Sequence, residues 1–191
     1  RFVALIPWGT LAGTEFMNVA LRALGARIGE RVRIARGVEV LSGGWDLLEI
    51  GDFVSIGRDA ALRMTDLDAG QLVVGPISIG SGATLDTRAG MAPGTRLADG
   101  GYLSPLSMLS SGQQTDADVR MVGVPAEPNG TAPIPPDISS SESQWSPMTH
   151  GLLTIATRLA VGLLGFLPAL FLLTIAIVTL GIDGSQFITW I

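Results

Sequence analysis

The sequence contains no cysteine, no lysine and a single histidine. The first absence excludes disulfides and thiolate chemistry. One histidine without cysteine supports no zinc site. All twelve basic residues are arginines, a bias that GC-rich arginine codons explain and that points to a high-GC bacterial genome. Positive charge is outnumbered, the formal net charge being −5, which argues against a nucleic-acid partner. The glycines recur at regular spacing and form no phosphate-binding loop ahead of a helix. No carboxylate pair has a spacing diagnostic of acid–base catalysis. The chain opens on Arg1 rather than methionine, and is expected to be a piece of a longer protein.

What is present is a period of six. Ile28, Ile34 and Val40 lead three hexads, Ile50, Ile56 and Leu62 three more, then Val73, Ile79 and Leu85, then Met91, Leu97 and Leu103. The fifth residue of a hexad is usually small or β-branched, as at Val32, Val54, Ala60, Ala83 and Ser107. Six is the repeat of neither a helix nor a two-sided strand; it marks a parallel β-helix in which each hexad supplies one short strand and one corner. The fold expected is an all-β solenoid, a left-handed parallel β-helix of about four coils over residues 26–126, with an N-terminal capping helix and a C-terminal transmembrane helix. Glycine follows several leaders (Gly29, Gly51, Gly57, Gly80), where it is expected to permit backbone angles that a β-carbon opposes.

Residues 1–25 form a lead-in and the capping helix. Phe2–Trp8 reads either as the end of a membrane helix with Trp8 at the interface or as an apolar segment packed on the solenoid. Thr14–Leu24 reads as a helix capped by Thr14, with Glu15 in its first turn, an apolar face of Phe16, Val19, Ala20 and Leu24, and Gly25 as its stop. Arg22, Arg27, Arg31, Arg33 and Arg36 then cluster, either as a contact for anionic lipid or as a solvated face interleaved with Glu30 and Glu39.

Two inserts interrupt the period, about 41–49 and about 63–72. Counted at three hexads per coil, both leave the same corner, and together they form a lip. Loops on a rigid scaffold are where function concentrates. The lip therefore supplies the candidate residues: Glu49, Asp66 and Asp68 as carboxylates for catalysis, Trp45 and Asp46 for substrate binding, and no metal ligand set.

The period fails at Ser110–Asp118, and residues 127–150 are rich in proline and serine, as in a linker. Leu159–Leu180 is an uncharged run of 22 residues, long enough to span a bilayer, with Pro168 as a kink and Gly162 and Gly165 as points of close helix contact. The transmembrane segment is placed at 151–180, and 181–191 forms a turn and the start of a further segment. Arg158, at the near end of the run, favours a cytoplasmic solenoid on a bacterial membrane. Hexapeptide solenoids commonly serve acyltransferases whose base is a histidine; the one histidine, His150, lies outside the coils.

The stretches GTEFMNVALRALGARIGERVRI (Gly13–Ile34), DLLEIGDFVSIG (Asp46–Gly57), GPISIGSGATL (Gly75–Leu85) and MVGVPAEP (Met121–Pro128), followed by an apolar helix, resemble the membrane-embedded C-terminal region of non-ribosomal-peptide-synthetase-like proteins of the ε-poly-L-lysine synthetase type. That resemblance implies upstream adenylation and carrier domains and sister solenoid domains as partners, besides membrane lipid. It implies an aminoacyl donor held as a phosphopantetheine thioester on the carrier, or on coenzyme A, with no tightly bound cofactor. It also implies a histidine in the second insert, where this chain reads LRMTDLDAG with Met64 and Thr65. Three readings follow: an aminoacyl-transfer unit, a non-catalytic scaffold, and a stand-alone membrane-tethered acetyltransferase.

Overall fold

A computed structural model describes residues 8–40, 44–68, 70–133 and 146–180. The first coil contains β1 (Arg27–Ile28), β2 (Arg33–Ile34) and a bridge from Glu39 to Ala61. The second contains β3 (Leu48–Ile50), β4 (Ser55–Ile56) and β5 (Ala61–Leu62). A hairpin, β6 (Thr65–Asp68) with β7 (Gln71–Val74), follows. The third coil is β8 (Ile77–Ile79), β9 (Thr84–Leu85) and β10 (Gly90–Met91). The fourth is β11 (Arg96–Leu97), β12 (Tyr102–Leu103) and β13 (Met108–Leu109). Equivalent strands pair in parallel from coil to coil and build three faces, β1-β3-β8-β11, β2-β4-β9-β12 and β5-β10-β13. This is a parallel β-helix.

The leading residues form its core, because a two-residue strand turns alternate side chains to opposite sides. Ile50, Ile56, Leu62, Ile79, Leu85, Met91, Leu97 and Leu103 are all at most 2% exposed. Val73 is an exception. It lies in the free-standing hairpin on β7, half-buried, and the third coil starts at Ile79 instead. Leu109 takes the place that this shift opens at the other end. The stack also runs past Met108: Gln114 bridges Arg96, and β14 (Val119–Val122) pairs in parallel with β12, placing Met121 on Leu103. β15 (Glu127–Thr131) then folds back antiparallel on β14. The first five residues of the expected linker are therefore a strand; residues 134–145 lie outside the described residues.

The glycines after the leaders serve close approach rather than unusual angles. A Cβ on Gly51 would lie 2.7 Å from the Ser81 amide nitrogen, and one on Gly80 would lie 2.4 Å from that of Asp99. The left-handed backbone falls two residues later, on Arg31 (φ 53°) and Phe53 (φ 58°), which stack at one corner with the guanidinium 5.8 Å from the ring. That corner also carries a side-chain ladder. Glu30 N–H donates to Asp52 Oδ1 (2.7 Å), Asp52 N–H to Ser81 Oγ (3.2 Å) and Ser81 N–H to Asp99 Oδ1 (2.8 Å). Each bond satisfies a corner amide that no strand pairing reaches.

The N-terminal end is closed by α1 (Trp8–Leu11) and α2 (Glu15–Ala23). The face of α2 that enters the core is Met17, Asn18 and Leu21, one step round the helix from the face expected. Asn18 explains the choice: its Nδ2 donates to Val32 O at 2.7 Å, while Arg22 donates to Ile28 O (2.9 Å) and Gly29 O (2.5 Å). The first coil's exposed carbonyls thus take their partners from the helix. Thr14 occupies the capping position, but its hydroxyl donates to Leu11 O.

The chain divides after Leu152 into two compact units. α3 (Pro147–Leu180) begins in the first. Its stretch Met148–Thr179 has a mean hydropathy of 2.6 and is long and apolar enough to cross a membrane. Pro168 lies inside it. Residues 1–7 and 181–191 lie outside the described residues.

Candidate functional site

Both inserts leave the corner between the third face and the first. One runs from Val40 to Leu48, the other from Leu62 to Ile77. Their roots touch, since a Cβ on Gly44 would lie 3.4 Å from Met64 Cβ.

The first insert folds flat. Gly44 takes a left-handed conformation (φ 74°) and starts a 3-10 turn, Trp45–Leu47. Trp45 lies half-buried against the core and donates its indole N–H to Val40 O at 2.7 Å. Asp46 is exposed beside Gly25, where a Cβ on that glycine would lie 3.6 Å away. Glu49 is on β3, exposed, level with Arg27 on one side and Ser78 on the other.

The second insert stands up as the β6–β7 hairpin, paired Thr65 to Val74, Asp66 to Val73, Leu67 to Leu72 and Asp68 to Gln71. Directly opposed residues share a side of the ribbon. One side therefore presents Thr65, Leu67, Leu72 and Val74, with Leu67 71% and Leu72 69% exposed. At its foot is an open groove of about 340 Å³ lined by Glu39, Arg63, Thr65, Asp66, Leu67 and Leu72. Arg63 Nε lies 3.9 Å from Glu39 Oε2, and Asp66 Oδ1 accepts the Leu67 amide at 2.8 Å. The groove sets the Arg63–Glu39 pair beside a leucine wall, with Asp66 also in its lining.

Of the sequence candidates, Asp66 lines this groove and Asp68 shares its strand, the Asp68 side chain lying outside the described residues. Asp46, Glu49 and Trp45 do not line it. Glu39 and Arg63 were not among the sequence candidates: Glu39 sits at an ordinary outward hexad position that only the corner brings beside the insert, and Arg63 opens the insert as a lone cation among its carboxylates. Met64, in the insert where the resemblance implies a histidine, is fully buried and contributes packing; Thr65 beside it lines the groove. His150 is exposed in the first turn of α3. Among the described residues no group of three or more histidine, cysteine, aspartate or glutamate residues is placed to hold a metal.

A second polar cluster lies on the β2-β4-β9-β12 face. The Tyr102 hydroxyl donates to Asp86 Oδ2, the Thr87 amide donates to Asp86 Oδ1 (2.6 Å), and the Arg120 guanidinium stands 5.9 Å from the Tyr102 ring. The bond from Tyr102, reinforced by the Thr87 amide, holds the Asp86 carboxyl below its ordinary pKa; the same bond, with some burial, raises that of the Tyr102 phenol. The pair clamps coil three to coil four.

No family model and no curated sequence matches the chain. Solved structures do. A maltose O-acetyltransferase from Clostridium difficile 630 aligns at 17% identity over 63% of this chain and 76% of its own, with a TM-score of 0.45. A hexapeptide-repeat acetyltransferase from Vibrio cholerae O1 biovar eltor, complexed with acetyl coenzyme A, aligns at 13% identity over 62% and 78%, TM-score 0.48. A galactoside acetyltransferase in complex with coenzyme A aligns at 17% identity over 62% and 71%, TM-score 0.48. At these values the likeness concerns the course of the backbone only.

Proposed function

We propose that this chain is a membrane-tethered acyl-transfer unit whose groove receives a cationic, amine-bearing acceptor. The observation that carries the reading is the groove itself: the Arg63–Glu39 pair and Asp66 in its lining, next to Leu67 and Leu72, at a corner of the β-helix. Asp66, with Asp68 beside it in sequence, holds the acceptor ammonium, and the leucines take its aliphatic part. The acyl donor is a thioester of the coenzyme A or carrier-bound phosphopantetheine type, as coenzyme A is in the structures of similar backbone. One arginine already facing Glu39 suits a cation better than a polyphosphate, so the donor is placed outside the groove. The coil winds left-handed, α3 crosses the bilayer, and Arg158 at its near end keeps the solenoid cytoplasmic. The wider setting is a synthetase-like protein in which a carrier domain presents aminoacyl groups, in keeping with the sequence resemblance.

The test is Asp66→Asn with Asp68→Asn in the full-length protein, followed by product formation against acceptor concentration. A KM for the amine raised about tenfold, the worth of one lost charge-assisted contact, supports the reading. Unchanged kinetics remove it. The second reading is a scaffold that places sister domains or a carrier at the membrane. It is favoured by the buried Met64, and turnover that survives loss of the hairpin would establish it.

A further inference from the structure

The solenoid is electrically polar along its axis. Residues 14–40, which form α2 and coil one, carry five arginines against three carboxylates. Residues 44–133, which form everything beyond, carry five arginines against eleven carboxylates. On coil one Arg27, Arg31, Arg33 and Arg36 are all exposed. Among the described residues none of these four lies within ion-pair distance of a carboxylate, the pairs being Arg22 with Glu15, Arg63 with Glu39 and Arg88 with Asp59. The arginines surround the end of the solenoid that α2 closes.

The outer side of α2 is apolar as well. Because Met17, Asn18 and Leu21 point inward, Val19 (42% exposed) and Ala23 face out, with Phe16 half-buried beside them. The apolar helix starts at this same end. Gly151, the fifth residue of α3, is buried, and a Cβ on it would lie 3.4 Å from the Phe16 ring and from Thr14 Cβ. From that point α3 continues in sequence through Leu152 and Leu153, past Arg158, to the uncharged stretch 159–180.

We propose that the N-terminal face of the solenoid, the outer side of α2 with the four arginines of coil one, docks on an anionic phospholipid surface. The inference rests on the reading of α3 as a membrane span. Anchoring by that helix keeps this face at the headgroup layer, where anionic lipid attracts arginine and a shallow apolar patch settles at the acyl boundary. The acidic remainder of the solenoid is repelled by the same lipid. The β6–β7 groove, on a later coil, is thereby kept clear for its substrate.

The absence of cysteine permits single-site spin labelling of the full chain, reconstituted in vesicles of phosphatidylcholine alone or with about a third phosphatidylglycerol. Labels at Val19→Cys, Leu170→Cys and Ser111→Cys, the last on the far coils, are compared for collision with oxygen, which partitions into lipid, and with a water-soluble nickel chelate. The expected result is Leu170 in lipid in both vesicles, Ser111 in water in both, and Val19 shifted toward lipid only with the anionic component. Replacing Arg27, Arg31, Arg33 and Arg36 by Gln should return Val19 to water. With a bias of about fivefold per arginine, the docking equilibrium constant should fall by about six-hundredfold, and high salt should act in the same direction. A Val19 label that stays aqueous while Leu170 is in lipid overturns the docking proposal alone. A Leu170 label in water overturns the span and the docking with it. Dipolar broadening between Val19 labels in detergent would assign the face to a second copy of the chain and also overturn the proposal.

Discussion

Two segments leave the same corner of the β-helix and meet opposite ends. The first insert lies down: Trp45 turns its ring onto the core and gives its N–H to Val40 O. The second stands up as a ribbon with Leu67 and Leu72 in solvent. The second is about twice as long, and its composition differs as well. Residues 45–48 place a tryptophan and two leucines within reach of an apolar corner, and a short 3-10 turn suffices to pack Trp45 and Leu47 against the core. The run from Thr65 to Val74 places two four-residue strands either side of Gly70, which has φ 80°, and such a turn lets the run pair with itself. One insert is a plug and the other a platform, and only a platform leaves walls for a groove.

The comparison breaks first at its shared root. Leu62→Ala removes a fully buried side chain beneath both inserts and should cost about 2–5 kcal/mol, read as a lowered denaturant midpoint with the slope unchanged. Trp45→Ala tests the plug: losing a half-buried ring and one hydrogen bond should cost about 2 kcal/mol, and tryptophan-free proteolysis patterns around 41–48 should show new cleavage. The platform should respond differently. Leu67→Ser with Leu72→Ser should change stability by no more than about 0.5 kcal/mol while lowering acceptor turnover; a large loss of stability would mean that the ribbon is a second plug.

The smallest effect is expected away from the corner, at Asp86 and Tyr102. Asp86 has its pKa lowered in the folded state, so its contribution is present above its ordinary value near 3.8 and is lost as pH falls through the lowered one. Tyr102 has its pKa raised, so its share is present below its ordinary value near 10 and is lost as pH climbs past the raised one. Both groups are half-buried at the surface, where solvent still screens the pair to below about 1 kcal/mol. Asp86→Asn should therefore narrow its deficit against the parent protein at both ends, in acid and at alkaline pH above the raised Tyr102 value, and leave the Trp45 environment untouched at every pH.

The hexad leaders were readable because the signal is periodic and each inward position demands the same thing, an aliphatic side chain that stacks on its equivalent. The inserts' common corner followed from the same count. The count erred where an aliphatic residue served another purpose: Val73 has the right spacing, but strand pairing with Asp66 takes it into the ribbon. Even the end of the solenoid was hidden, since Gln114 and Met121 continue the stack after the sixfold spacing has lapsed. The corner ladder of Asp52, Ser81 and Asp99 left a trace, a polar residue two places after a leader, though nothing in the sequence says that such residues bond across coils.

By itself, the sequence determined a three-sided stack of short strands and an apolar helix, because repeat length and uninterrupted hydrophobicity act locally and need no knowledge of what lies opposite. Only the tertiary structure decided which side of α2 faces inward, since Asn18 and Arg22 find the first coil's carbonyls across a gap that sequence spacing does not encode. It also decided that Glu39, Arg63 and Asp66 share one groove, because residues a coil apart in sequence become neighbours only once the backbone has wound past the same corner.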